Sequence, residues 1–205
     1  MKHTTSRSLY DYWNGLRGKR SAPARKDIAP HDIKDVLAQV FILECEDTLT
    51  YRFRLAGTDL CTLFGEELRG KNLLDHWSRH ERESIESLLY SVTEDAAAAV
   101  LGIEGQTETG QNIALEMLLL PLKADDSALT RILGSISYKQ APPWLGHETI
   151  IRQSIKSLRL LWPDHAPRFI MQGQASLPVL DPPFGSKMPA RRVHHLKVIE
   201  GGLQD

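Results

Sequence analysis

The segment from Tyr51 to Lys71 constrains the chain more than any other. Tyr51, Phe53 and Leu55 alternate with Arg52 and Arg54, the period-two pattern of a half-buried strand. Ala56-Gly57 stops the strand and Thr58 follows as an N-cap. Leu60, Leu63 and Phe64 then fall at i, i+3 and i+4, so a short helix turns one apolar face inward before Gly65 ends it. A strand therefore runs straight into a clasping helix, with Phe64 as the aromatic that closes the clasp.

The flanking sequence supplies elements for that unit to pack against. Ser8-Leu9-Tyr10-Asp11 reads as a capping box, and Leu9, Tyr10, Trp13 and Leu16 form one apolar stripe on a helix that stops by Gly15 or Gly18. Gly18 to Lys26 is a basic, Pro-containing connection. Pro30 suits the first turn of a second short helix with Ile33, Val36 and Leu37 inward. Ala38 to Cys45 and Leu49 to Leu55 pair as a hairpin across Glu46-Asp47-Thr48. Ser78 with Glu81 is a further capping box, and Ile85, Leu88, Leu89 and Val92 mark a long amphipathic helix. Ala97 to Gly105, Gln111 to Leu122 and Leu129 to Gln140 are three more strands. Ile150 to Leu161 fits neither period cleanly, and its type stays open. From Pro163 onward, prolines and glycines predict a mobile tail, with a basic patch from Arg191 to Val198.

Leu9 to Trp13, Arg25 to Pro30, Phe41 to Glu44, Tyr51 to Thr58 and Leu120-Pro121-Leu122, in that order, resemble a family of small stand-alone bacterial PAS regulatory proteins. The resemblance implies an α+β fold: a PAS-like five-stranded antiparallel sheet with helices on one face, an N-terminal helical extension and a largely irregular C-terminal tail. The expected divisions are an extension over 1–37, a PAS core over 38–141 and an extension with flexible tail over 142–205. In PAS domains the space between sheet and helices is either packed core or a small-molecule pocket. Here Phe53, Leu60, Phe64, Leu73, Trp77, Met117 and Ile136 are the candidates for lining it, and packed core is the favoured reading. The cofactor, if one is held, stays unknown: the flavin-cysteine neighbourhood is absent around Cys61, and no His lies on the apolar face of the long helix to ligate haem.

Composition narrows the function further. A net charge of −1 argues against coating nucleic acid or an anionic membrane. No stretch approaches the length of a membrane span, and the polar first residues do not form a signal peptide, so a cytoplasmic protein is expected. Cys45 and Cys61 read as small buried hydrophobes in a reducing compartment. Gly65 to Asn72 approaches a phosphate-binding loop, but Asn72 stands where a Ser or Thr is required and Glu66 and Glu67 would sit in the cradle. His76 and His80 have the spacing of two zinc ligands on a helix, yet Ser78 breaks the helix between them, so no metal is expected. The resulting expectation is a non-enzymatic regulatory module with a signalling protein as partner, with a small enzyme or ligand carrier as the alternative. The stripe Leu9, Tyr10, Trp13 and Leu16 must cover either its own sheet or a second copy, and a homodimer through it is expected.

Overall fold

The computed structural model describes residues 1–47, 49–124 and 128–162, together with the backbone of 168–171 and 197–199. One antiparallel sheet organises them. Its strands are β1 (Val40–Asp47), β2 (Thr50–Ala56), β3 (Ala98–Thr107), β4 (Asn112–Leu122), β5 (Arg131–Tyr138) and β6 (Ile150–Leu161), with the short β7 (Arg168–Met171) and β8 (Lys197–Ile199) beyond. Their spatial order is β2-β1-β5-β4-β3-β6-β7-β8. The five expected strands are all present, and the sheet is larger than five because Ile150 to Leu161 joins it beside β3. Expectations for the tail that fall on residues 163–167, 172–196 and 200–205 lie outside the described residues.

Helices cover both faces rather than one. On the first face lie α2 (Thr58–Phe64) and α3 (Arg79–Glu94), over a core that includes Phe41, Phe53, Leu60, Leu73, Ile85, Leu89, Met117 and Ile136. Gly57, not Thr58, is the N-cap of α2, and Gly65 closes the helix in the left-handed region at φ 70°. Leu60 and Leu63 are fully buried, whereas Phe64 is only partly buried, so the two leucines carry most of the clasp. Ser78 caps α3 as expected, its hydroxyl accepting from the Glu81 N–H at 3.4 Å.

The second face is covered by α1 (Thr4–Arg17) and by short 3-10 turns at Arg25–Asp27, Pro30–Ile33 and Leu37–Gln39. The helix expected after Pro30 is thus two separate turns. The first helix begins at Thr4, so Ser8 lies inside it and caps nothing. Its N-terminus is held from across the sheet: the N–H groups of Lys2 and His3 donate to the two oxygens of Glu116 at 2.7 and 3.1 Å. Burial pushes the Glu116 carboxyl up, but these bonds and the Ser6 hydroxyl outweigh it and hold the group below its ordinary range. Leu9 and Trp13 are fully buried against Val40, Ile42, Leu118 and Leu133 of the same chain, and the Trp13 indole N–H donates to the Pro121 carbonyl at 2.8 Å. The apolar stripe therefore covers its own sheet. Of the four residues expected at a dimer interface, Leu9 and Trp13 are inside the subunit, and Tyr10 and Leu16 are half-buried at its margin.

A β-bulge between these layers changes one reading of the central segment. Leu43 pairs with Phe53 but Ile42 pairs with Leu55, so Arg54 is the extra residue. Phe53 stays in the first core, and Leu55 turns to the opposite face and packs on the second.

Candidate functional site

The seven residues expected to line the PAS space all sit between the sheet and its helices. Six of them are buried and Phe64 is partly so, and their side chains fill that space against one another. Phe53 meets Phe41 edge-on at 5.6 Å, the arrangement of a packed aromatic pair. A concavity lies at the edge of this core, beside the buried Trp77.

There a groove of about 500 Å³ runs between the start of α3 and the ends of β3, β4 and β6. Its walls include Asp75, His76 and Trp77 from the turn before α3, His80 and Glu81 from the helix, and Ile151, Arg152 and Gln153 from β6. Two register breaks in β6 shape this wall. Ile151 is left over between Arg152, which pairs with Gln106, and Ile150, which pairs with Thr107. It stands 56% exposed at the groove, an apolar contact open to solvent. Lys156 is left over in the same way, and the neighbouring Ile155 N–H donates to both Glu81 oxygens at 3.2 and 3.3 Å. Glu81 thus ties the first turn of α3 to β6 instead of reaching back to Ser78.

Beneath the groove lie three polar atoms with no hydrogen-bond partner among the described residues: His76 Nε2, Trp77 Nε1 and Gln153 Oε1. Trp77 is 6% exposed and Gln153 8%, and the other end of the Gln153 amide donates to the His76 carbonyl at 3.0 Å. A buried polar group without a partner costs about 1–3 kcal/mol, so three together on touching elements leave an unmet hydrogen-bonding demand beside the groove. Asp75 pairs with Arg82 at 3.6 Å, Glu104 with Lys156 at 2.9 Å and Glu81 with the Ile155 N–H, so with Arg152 the rim is close to electroneutral, and the unpartnered Gln153 oxygen favours ligands that carry N–H groups.

His76 is also a titrating group of the site. Its ring packs on Phe64 at 5.0 Å and Phe53 at 6.2 Å, and burial, helped by the Lys71 ammonium, lowers its pKa against the opposing pull of Glu66 and Asp75. The folded protein therefore holds His76 neutral at a pH where the unfolded chain, with an ordinary value of 6.5, binds a proton. Stability is complete above that value and falls as the pH drops below it. The free energy of unfolding should decline between about pH 7 and 5, and His76→Gln should flatten that decline. Urea titrations of both proteins across this range check it, and equal slopes would contradict it.

Other sequence motifs take structural roles. Ser78 caps α3 between His76 and His80, so the two imidazoles do not share a helical face. No group of three or more potential metal ligands occurs among the described residues. Lys71 pairs with Glu66, and the loop follows a helix rather than a strand, which is the wrong setting for a phosphate cradle. Asn72 is a clamp that sequence reading missed: its carbonyl accepts from Tyr51 N–H at 3.0 Å and Leu74 N–H at 3.3 Å, and its amide donates to Leu49. Cys45 and Cys61 are both free and half-buried, and burial raises the Cys45 thiol, which disfavours the reactive thiolate. Among the described residues no helix is long and apolar enough to cross a membrane.

Comparison with known proteins agrees with this architecture. A family model described as PAS domain matches residues 1–137, about two thirds of the chain, taking in α1 as well as the sheet through β5. No curated protein and no solved structure matches the chain. The strand order, the helical insert between β2 and β3 and the family match together place this chain in the PAS domain family.

Proposed function

We propose that the chain is a non-enzymatic regulatory module of the cytoplasm, which takes up a small, N–H-rich molecule in the groove between α3 and β6 and passes on its state through protein contacts. The observation that carries this reading is the set of unpartnered polar atoms on His76, Trp77 and Gln153. Trp77 offers a donor and Gln153 an acceptor. A neutral His76 that turns its Nδ1–H toward Glu66, 3.8 Å away, offers a second acceptor at Nε2.

Binding there has a route outward. The molecule competes with the bond from Gln153 to the His76 carbonyl and lies beside the Glu81 link to Ile155. Those two contacts fasten the helical layer to β6, so a ligand that prefers one arrangement shifts the population between them. A signalling protein that reads β6 or α3 would then sense occupancy. Self-association belongs to the same reading, with Tyr10 and Leu16 as the members of the apolar stripe left at the subunit surface.

Mass spectra of the purified protein under native and denaturing conditions test the proposal. A small molecule retained in the native spectrum, released on denaturation and lost from Gln153→Leu is the expected result. Retention that Gln153→Leu leaves intact would place the ligand elsewhere.

A further inference from the structure

The second face of the sheet carries a separate concavity of about 330 Å³ beyond the margin of the 3-10 turns. Four arginines from four parts of the chain converge on it: Arg25 from the first turn, Arg54 from β2, Arg69 from the loop after α2 and Arg131 from β5. Glu44 is the one carboxylate in its lining. It accepts from Arg131 at 2.8 Å and pairs with Arg54, so it is shared between two guanidinium groups. Four positive charges against one negative leave an excess of three in the lining, in a protein whose net charge is −1.

The arrangement is built rather than incidental. Arg54 is the bulged residue of β2, and the bulge is what sets Leu55 beside Ile42 on this face, where both line the concavity. Arg25 is fixed by its main chain, whose N–H donates to the Lys123 carbonyl at 2.8 Å. The Arg131 Nε is buried with no partner among the described residues, a charged donor left for something else to satisfy. Arg25 and Arg69 make no ion pair with a carboxylate among the described residues.

We propose that this arginine concavity binds a small molecule carrying two or more adjacent anionic groups, of the phosphate-ester or diphosphate class. Planar guanidinium groups offer paired N–H donors that match tetrahedral oxyanions, and four of them around one pocket match several oxygens at once. The apolar Ile42 and Leu55 provide a surface for the uncharged part of such a ligand. The site is built on β1, β2 and β5 and shares no lining residue with the groove beside Trp77, so it stands independently of that reading.

Inorganic pyrophosphate is the probe. Calorimetric titration of the full chain at low ionic strength should give saturable binding that weakens as salt is raised. Arg69→Ala and Arg25→Ala should each weaken it by about tenfold or more. Arg69 is exposed, so its loss should leave the melting temperature unchanged. Arg152→Ala, at the other groove, should bind as the wild type does, and sulfate, with one tetrahedral group, should bind more weakly. Absence of saturable binding, equal affinity in Arg69→Ala and Arg25→Ala, an equal loss in Arg152→Ala, or sulfate binding as tightly would each overturn the proposal.

Discussion

Trp13→Ala is expected to destabilise the protein by about 3–5 kcal/mol, the range for deleting a large buried aromatic side chain. Trp13 is fully buried between α1 and the sheet, and the Arg17 guanidinium stands 5.7 Å from its ring. Truncation leaves a cavity beside Leu9, Leu118 and Leu120 and orphans the Pro121 carbonyl, which now accepts the indole N–H. Urea unfolding measures the loss directly. A change below about 1 kcal/mol would mean that α1 does not rest on its own sheet and that the apolar stripe is free for a second copy after all.

Gly57→Ala is expected to cost at least about 3 kcal/mol, for a different reason. The φ of Gly57 is an ordinary −70°, so conformational freedom is not what it supplies. It supplies closeness: an added Cβ would fall far inside contact with the carbonyls of Leu37 and Ala38. Backbone atoms cannot rotate away as a side chain can, and the Gly57 N–H is already bonded to the Val40 carbonyl at 2.8 Å. Relief would require moving the start of α2 off the turn before β1, opening the clasp over the first core. Gly15→Ala is the matching control, because nothing lies within 4 Å of a Cβ there and α1 should gain up to about 1 kcal/mol in helix propensity. Thermal melts of the two variants should move in opposite directions.

The features legible in the sequence were those written as regular patterns. β1 to β5, α2 and α3 follow from alternation, from apolar spacing and from the caps at Ser78 and Gly65. Features that depend on a broken pattern were hidden. The bulge at Arg54 reverses the face of Leu55 without changing the alternation of the letters, so the arginine concavity cannot be read from Tyr51 to Leu55 alone. β6 carries two such breaks and an inward-facing Gln153, which blurs its period into neither strand nor helix.

Long-range polar contacts were hidden for another reason. Glu116 anchors the residues leading into α1 across more than a hundred residues of chain, while Ser8, the local candidate, has no capping role. The Tyr51 and Leu74 main chains meet through Asn72 in the same nonlocal way. The apolar character of Trp77 sets it beside the core, but His76 and Gln153, the neighbours with unpartnered atoms like its own, come together with it only through the pairing of β6 with β3. The direction in which the N-terminal stripe packs was likewise a choice between two surfaces, and only the register of β4 beneath Trp13 decides it.

We propose the groove beside Trp77 as the place where this PAS domain receives its signal. Nuclear magnetic resonance tests it most directly, by following the indole N–H and side-chain amide resonances during titration with a panel of small amines, amides and guanidino compounds. The Trp13 indole, tied to the Pro121 carbonyl on the opposite face, serves as the internal reference. A binding compound should shift the Trp77 indole and Gln153 amide resonances together and leave Trp13 in place. Binding that moves Trp13 while Trp77 and Gln153 stay still, or no response from Trp77 across the whole panel, would contradict it.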